Sequence, residues 1–448
     1  MKIVLFEFRK NILRKTIIIP MVILLIVNVM VIYAQYRFQN DPFSSEVNRY
    51  HSSAREWEYY KELHAQFDGE ITEEKQDKII KLYDNLKEKI DNADYQKGYT
   101  KSAGTGYIFG DYSLIETNFY QPIKNLVSYA EKNKKLVDQA KENIKFYKKA
   151  DNRYELKKNQ HIVKKYQDRV IYDFYDTTGF QKLLDYNFSD VILMIFLFLC
   201  ALPLFYQEQI YGMEDMILAT KKGRKTYVAG KYISVIAVII MCTVVIACVN
   251  YIVFYITYGL KGSQMPIYAL EEFQYSPYNL TLLQAYFAIQ GLKCMAFIVV
   301  STLMCLISNM TKNTMMLFII FIGVTVFGLY CSGYICSDNV QKVVIAIASP
   351  FSLFKGFNIF KSLYELDLFG NFELRINVCI VIFIIILFIF IDHIMRIIPS
   401  YTNRYHSYSQ QNHNKYPYFL FCKQFINFLH QHIFYLTLSF LLLECLYL

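Results

Sequence analysis

The chain carries the apolar run Ile17-Ile18-Ile19-Pro20-Met21-Val22-Ile23-Leu24-Leu25-Ile26-Val27 close to the start of the sequence. The run lies inside a longer segment, residues 16–36, that contains no acidic or basic side chain. A helix needs about 20 mostly apolar residues to cross the hydrocarbon core of a bilayer. We therefore predict a membrane-spanning helix here. Because no small-residue cleavage pattern follows it, we expect it to remain as an anchor.

Residues 37–188 are predominantly hydrophilic, and a cluster of further apolar segments begins at Val191. The pattern predicts six membrane-spanning helices: residues 16–36, 189–206, 232–257, 283–308, 314–330 and 376–391. A short apolar stretch, residues 433–448, is a candidate for a seventh. The predicted fold class is an all-α integral membrane protein. It has six or seven transmembrane helices, and a helical domain (37–188) lies between the first two. The remaining spans form a bundle over residues 189–397.

Lysine and arginine residues indicate which side of the membrane is cytoplasmic, because short cytoplasmic loops carry an excess of them. They precede the first span, fill the loops before the third and fifth spans, and follow the sixth: Lys2, Arg9, Lys10, Arg14, Lys15, Lys221, Lys222, Arg224, Lys225, Lys231, Lys312, Arg396 and Arg404. We predict a cytoplasmic N-terminus and tail (398–448) and an extracellular insert. The bias towards Lys, Ile, Asn and Tyr is typical of an AT-rich bacterial genome. The expected location is a bacterial plasma membrane.

The first fifteen residues have an amphipathic pattern. Phe8 lies with apolar neighbours on one helical face, and Lys10 and Arg14 lie on another, with Arg9 adding a further positive charge. A basic amphipathic helix joined to a span is expected to lie along the cytoplasmic membrane interface. The alternative is ordinary basic flanking of the first span without a distinct helix.

The insert is predicted to be helical almost throughout. Ile79, Tyr83 and Leu86 recur at helical spacing, and apolar residues between 126 and 147 form a weak antiparallel coiled-coil pattern. None of the ten cysteines lies in the insert, so it holds together without disulfides. Cys331 and Cys336, which follow the fifth span, are the pair that could bond in an oxidising space.

Two segments of the insert have alternative interpretations. Residues 98–111 contain several glycines but lack the Gly-Lys-Ser/Thr ending of a phosphate loop, so we predict a hairpin loop at the tip of the domain. Ser113 and Glu116 are predicted to form a capping box at the start of the following helix. Lysines outnumber acids in 132–165, which indicates either a solvated helix face or a surface for an anionic envelope polymer or cargo.

Residues 341–370 are too long for a simple loop. They contain two apolar half-helices that are predicted to break at Ser349-Pro350. A re-entrant segment must be shielded by protein or line a cavity. A helix lying on the membrane surface is the alternative.

Polar residues inside spans are costly, so their positions are informative. Lys293 lies well inside the fourth predicted span, which means either that the helix faces a wet cavity or that its outer part lies beyond the lipid. Asn28 and Asn250 are expected to bond between helices rather than to bind a substrate.

The sequence contains no motif typical of catalysis. Walker A, Gly-x-Ser-x-Gly, His-Glu-x-x-His and Cys-x-x-Cys patterns are all absent. We therefore predict no catalytic residue, no metal site, no cofactor and no enzymatic activity. The net charge of +9 is explained by residues that flank the spans, so no nucleic-acid partner is expected.

The loop at 207–231 mixes acids, apolar residues, glycine and bases, which a merely basic cytoplasmic loop would not need. It reads Glu208-Gln-Ile-Tyr-Gly-Met-Glu-Asp-Met-Ile-Leu-Ala-Thr-Lys-Lys-Gly-Arg-Lys-Thr-Tyr-Val-Ala-Gly-Lys231. This arrangement resembles the coupling loop of ATP-binding-cassette type-2 (ABC-2) permeases. In that family an acidic residue after the second span leads to a short helix, a small-basic turn and a lysine opening the third span. Glu208, Glu214, Gly223, Arg224 and Lys231 match the pattern.

Three further features fit the resemblance: the basic N-terminal segment, the span count and the segment Ala348-Ser-Pro-Phe-Ser-Leu-Phe before the last span. The insert is similar to the large extracellular domain that some subfamilies carry between their first two spans. The resemblance implies an exporter in the bilayer, whose partners are a separate cytoplasmic ATPase that binds ATP and a second permease chain. The implied cargos are peptides or antimicrobials, drugs or other amphipathic molecules.

The rival interpretation is a membrane-anchored receptor or assembly factor. Its extracellular helical domain would bind an envelope partner without transport. Six spans argue against it, since one or two would suffice as an anchor.

Overall fold

The computed structural model describes residues 9, 15–39, 54–91, 104–105, 107–210, 223–310, 314–368 and 371–390. The chain is mostly helical over these ranges. The first apolar helix is α1 (Lys15–Gln39). The insert follows with α2 (Ala54–Phe67), α3 (Glu73–Asp91), α4 (Ile108–Ile115), α5 (Gln121–Lys149), α6 (Arg153–Tyr166) and α7 (Thr178–Asp185).

The rest of the described chain is again largely apolar helix. Its helices are α8 (Phe188–Ile210), α9 (Gly223–Tyr258), α10 (Leu282–Met310), α11 (Thr314–Ser332), α12 (Val340–Ala348), α13 (Gly356–Lys361) and α14 (Arg375–Phe390). Short 3₁₀ turns lie at Ile267–Ala269, Glu271–Phe273, Gly333–Cys336 and Pro350–Lys355. The two β ladders are small and antiparallel: β1 (Gly69–Glu70) pairs with β2 (Asp173–Phe174), and β3 (Glu365–Leu368) with β4 (Asn371–Leu374).

Four helical segments in the described chain are long and apolar enough to cross a membrane: Ile17–Arg37, Ala229–Tyr258, Leu282–Ile307 and Phe318–Cys336. They coincide with the first, third, fourth and fifth predicted spans. Predicted span 189–206 lies in helical α8. Residues 376–390 of predicted span 376–391 lie in α14, which is apolar but shorter, and residue 391 lies outside the described residues. The described chain is thus largely helical with four candidate membrane-spanning helices, consistent with an all-α membrane protein, whereas the full count of six spans stays a prediction.

The faces that these helices turn outward are apolar. Ile19, Val22 and Ile23 of α1 and Ile322 and Val326 of α11 are all exposed. Large exposed apolar surfaces are rare on soluble monomers and suit contact with lipid or with another membrane helix.

The longest part of the insert is an antiparallel hairpin of α5 and α6, whose turn lies at residues 150–152 and not in the predicted hairpin loop at 98–111. Asp151 has a φ of 49° and ends the first helix in the left-handed conformation. The Asn152 side chain accepts a hydrogen bond from the Glu155 backbone N–H at 3.1 Å and so caps the second helix. In α3, Ile79, Tyr83 and Leu86 are buried, which confirms the predicted helical face.

One local prediction for the insert is wrong. Ser113 does not begin a helix, because α4 already begins at Ile108 and runs through a π turn (Glu116–Tyr120) into α5. Of the glycine-containing loop, Gly104 and Thr105 are described and both are buried. The Asp111 carboxylate accepts hydrogen bonds from the Thr105 backbone N–H and hydroxyl, both at 2.6 Å, so this part of the loop closes onto α4. The rest of the predicted hairpin loop lies outside the described residues, and its place at the tip stays a prediction.

The buried apolar residues of the insert continue into those of the apolar helices. The cluster runs from Phe119 and Phe174 in the insert through Phe180 and Leu184 of α7 to Leu282 at the start of α10. The side on which the insert lies is therefore also the side on which the α9–α10 loop lies.

We expect this side to be extracellular. A cysteine at Ala150, which is exposed in the α5–α6 turn, should react with a membrane-impermeant maleimide on intact cells. A cysteine at Lys222, between α8 and α9, should react only after lysis. The wild-type chain provides the background from Cys331 and Cys336, which are both unbonded. The reverse labelling pattern would show that the orientation is inverted.

Candidate functional site

The link between α7 and α8 brings the chain from the insert back into the apolar bundle. Its central residues are Tyr186 and Asn187. The Tyr186 ring is buried and packs edge-on against Phe254 of α9, with ring centroids 5.5 Å apart. Two sets of buried polar contacts converge on this link, and together they form the candidate site.

The first set joins α1, α9 and the link. The Asn28 side-chain amide donates to Oδ1 of Asn250 at 2.6 Å, and the Tyr186 hydroxyl donates to Oδ1 of Asn28 at 2.9 Å. Asn28 and Asn250 are 0% and 1% exposed. This arrangement confirms that the two asparagines bond between helices, as expected for amides inside apolar helices.

The second set joins α8, α10 and the same link. Lys293 Nζ lies 2.9 Å from Oδ2 of Asp190 and also donates to Oδ1 of Asn187 at 3.1 Å and to the carbonyl of Tyr186 at 3.3 Å. The Lys293 side chain is 2% exposed and that of Asp190 is 16% exposed. The ammonium group thus reaches three oxygens, which is its full donor capacity.

The two sets of contacts, which we call the polar joint, are suited to holding helices together and not to catalysis. The polar joint includes no pair of nucleophile and base, and the described residues include no group of three His, Cys, Asp or Glu placed to hold a metal ion. Buried polar groups that are fully bonded fix a particular arrangement of the elements around them, because any other arrangement leaves a group unsatisfied. The cluster therefore holds five elements in one register: α1, α8, α9, α10 and the α7–α8 link.

A second contact region connects the insert to the α9–α10 loop. Arg169 is 4% exposed, and its guanidinium lies between the rings of Tyr166 and Tyr268, 4.5 Å from each centroid. It donates to the carbonyl of Ser276 at 2.7 Å and to the side chain of Asn279 at 2.5 Å. Planar stacking together with two directed hydrogen bonds is a geometry that suits arginine and not lysine.

Two charged contacts reinforce that region. Asp68 accepts from Lys261 at 2.9 Å and contacts His64 at 2.7 Å. Burial alone would raise the pKa of Asp68, but the hydrogen bonds from His64 and Lys261 outweigh it and lower the pKa. Glu272 likewise bonds Lys361 of α13 and accepts from Gln181 of α7 at 2.6 Å.

The half-helices meet at the predicted position. The axes of the two apolar segments, Val340–Ala348 and Pro350–Lys361, differ in direction by 102°. Ser349 donates its hydroxyl to the carbonyl of Gly328 in α11 at 3.2 Å, and the buried Phe351 ring lies against the same glycine. The break at Ser349-Pro350 is therefore half-buried, and its flanking residues Ile347 and Phe351 are packed inside protein. Its depth relative to the bilayer stays a prediction.

The close approach at Gly328 can be tested with alanine. A Cβ atom there would lie 2.2 Å from Cδ2 of Phe351, so the ring would have to move. We expect Gly328→Ala to destabilise the protein by about 1–3 kcal/mol, as overpacked cores do. Gly323→Ala in the same helix meets nothing within 4 Å and should be neutral or slightly stabilising. Thermal unfolding in detergent measures both, and equal melting temperatures for the two variants would contradict the packing argument.

The predicted coupling residues are only partly described. Glu208 lies in the last turn of α8, and Gly223 and Arg224 begin α9 instead of forming a turn before it. Lys231 is buried, and its carbonyl accepts from the Ser234 hydroxyl at 2.8 Å. Glu214 lies outside the described residues. Of the N-terminal set, Arg9 is helical and exposed, whereas Phe8, Lys10 and Arg14 lie outside the described residues.

Sequence reasoning identified Lys293, Asn28 and Asn250 but missed Asp190, Tyr186 and Arg169. An acid in the first turn of an apolar segment could have been proposed as the partner of the lysine. Arg169 follows a strongly basic helix and has no distinguishing feature in the sequence.

No protein-family model matches this sequence, and no curated protein matches it.

Proposed function

We propose that this chain is the membrane-spanning permease subunit of an ATP-driven exporter of the ABC-2 type. ATP would be bound by a separate cytoplasmic subunit, and a second permease chain would complete the complex. The observation that carries the proposal is the mixed-charge segment 207–231, which leads directly into the longest helix of the described chain. The cargo class that we favour is an amphipathic molecule such as a peptide, an antimicrobial or a drug.

The geometry of α9 supports a coupling role. The helix contains 36 residues without an internal break, from Gly223 to Tyr258. At 1.5 Å per residue it is about 54 Å long and can transmit a displacement from one side of a membrane to the other. A displacement of its cytoplasmic end would be transmitted along the helix to Asn250 and then to the α9–α10 loop, which contacts the insert.

The polar joint would share that movement among several helices. Asn250 bonds α9 to α1, while Tyr186 and Asn187 connect the asparagine pair to the Lys293–Asp190 pair. A tilt of α9 would therefore move α1, α8 and α10 with it. Rigid-body rotation of such a unit is one of the known ways in which an exporter can alternate access.

The proposal is tested by purifying the tagged chain from its native host. We expect an ATPase with a Walker A motif to co-purify, and we expect transport to depend on ATP hydrolysis. The double variant Glu214→Lys/Arg224→Glu should uncouple hydrolysis from transport, because it reverses the charge of one acid and one base in segment 207–231. Arg404→Glu, a charge reversal in the cytoplasmic tail, serves as the matched control. Normal coupling in the double variant would contradict the assignment of the loop.

The receptor interpretation predicts a different outcome. The chain would co-purify with an envelope protein bound through the insert and with no ATPase. That result would overturn the permease proposal, although the topology and the polar joint would stand.

A further inference from the structure

The turn of the α5–α6 hairpin carries an exposed aromatic ring among basic side chains. Phe146 is 64% exposed, unusually high for a phenylalanine, and Lys145, Lys148, Lys149 and Arg153 around it are exposed as well. Residues 145–153 contain these four bases and a single acid. At 100° per residue, Lys145, Phe146 and Lys149 occupy one face of α5.

The hairpin crosses the outer surface in a defined direction. At the far end of α6, Arg169 is bound to the α9–α10 loop. Nearer the turn, Lys158 is paired with Glu365, and the rings of Tyr154 and His161 lie 6.3 and 5.0 Å from Phe372. Phe372 belongs to β4, whose strand leads directly into α14. The turn therefore overhangs the outer end of an apolar helix.

That helix presents an apolar face to its surroundings. Val381, Ile384, Ile385 and Phe388 of α14 are all exposed. A lipid layer against this face would place its headgroups close to the start of α14, below the hairpin turn. An apolar ring flanked by lysines suits such a layer, because the ring enters the headgroup region while the ammonium groups meet the phosphates.

We propose that the α5–α6 turn docks on the outer leaflet of the membrane in which the chain itself lies, through Phe146 and the surrounding bases, and that it selects anionic phospholipid. The exposed ring favours lipid over a soluble polyanion as the ligand, because a polymer in water has no apolar layer for the ring to enter. The inference depends on the insert being extracellular and is independent of whether the chain transports anything.

The experiment uses the chain's single tryptophan. In a Trp57→Phe background, Phe146→Trp reports on the turn, and Val127→Trp, at an exposed position of the same helix, is the matched control. Each full-length variant is placed in nanodiscs of brominated phosphatidylcholine, with or without an equal part of phosphatidylglycerol. Far-UV circular dichroism verifies that the helices are intact.

We expect the emission of Phe146→Trp to shift to shorter wavelength and to fall by about twofold or more in the anionic discs, as for an interfacial aromatic residue. Val127→Trp should not respond. Adding Lys145→Glu/Lys149→Glu to the reporter chain should abolish the response. Absence of quenching in the anionic discs would overturn the proposal. A change in Phe146→Trp emission with soluble polyphosphate alone would also overturn it, because that result indicates a polymer site. So would a change that requires two chains per disc, because that result indicates a contact between copies of the chain.

Discussion

Lys293→Met is expected to destabilise the protein by about 3–5 kcal/mol, the usual cost of leaving one partner of a buried ion pair without the other. The methionine removes the charge but keeps a long, flexible side chain, so the loss is not a cavity effect. Asp190, which is 16% exposed in its side chain, would be left facing an apolar helix. Chemical or thermal unfolding in detergent micelles measures the change.

A double-mutant cycle separates the ion pair from other effects. Asp190→Asn in the Lys293→Met background removes the stranded charge, so the double variant should recover much of the lost stability. Asn250→Ala, which affects the neighbouring asparagine pair, tests whether the two polar sets act together. If Lys293→Met and Asp190→Asn each change the free energy of unfolding by less than about 1 kcal/mol, and the two changes add in the double variant, Asp190 and Lys293 are solvated independently.

Most of the apolar helices could be predicted from the sequence, because a span needs only local composition. The segments around Ile17–Arg37 and Ala229–Tyr258 were found within a few residues of their bounds. The break at Ser349-Pro350 was also predicted, since proline disfavours the helical conformation of the residue before it. The helix start at Ile108 was missed because a π turn joins α4 to α5, and a capping pattern such as Ser113/Glu116 carries no information about what precedes it.

The candidate site was predictable only in part. A lysine or an asparagine inside an apolar run is visible in the sequence, whereas its partner is not. Asn28 and Asn250 are 222 residues apart, and Lys293 binds a carboxylate from the start of a different helix. Such pairings are set by how helices pack, and nothing in local composition encodes them. The same reason explains why Arg169, whose hydrogen-bond partners lie more than 100 positions along the chain, was not predicted.

Arg169 carries the second large expected effect. Arg169→Ala removes one buried and one partly buried hydrogen bond and leaves the carbonyl of Ser276 and the side chain of Asn279 without that donor. Hydrogen bonds to charged groups contribute about 1.5–3 kcal/mol each, so we expect a loss of roughly 3 kcal/mol. Because the contact lies between the insert and the α9–α10 loop, the loss should be local. Amide hydrogen exchange should accelerate in α6 and in residues 259–281, while α10 remains protected.

Arg169→Lys distinguishes geometry from charge. Lysine keeps the positive charge but cannot stack flat between Tyr166 and Tyr268 while also reaching two oxygens, so it should restore only a small part of the protection. Arg153→Ala, at an exposed position of the same hairpin, is the matched control and should leave exchange unchanged. If Arg169→Lys exchanges as slowly as the wild type, charge alone holds the insert on the loop. In that case raising the salt concentration should release it, because screening weakens exposed ion pairs and leaves a buried, stacked contact largely intact.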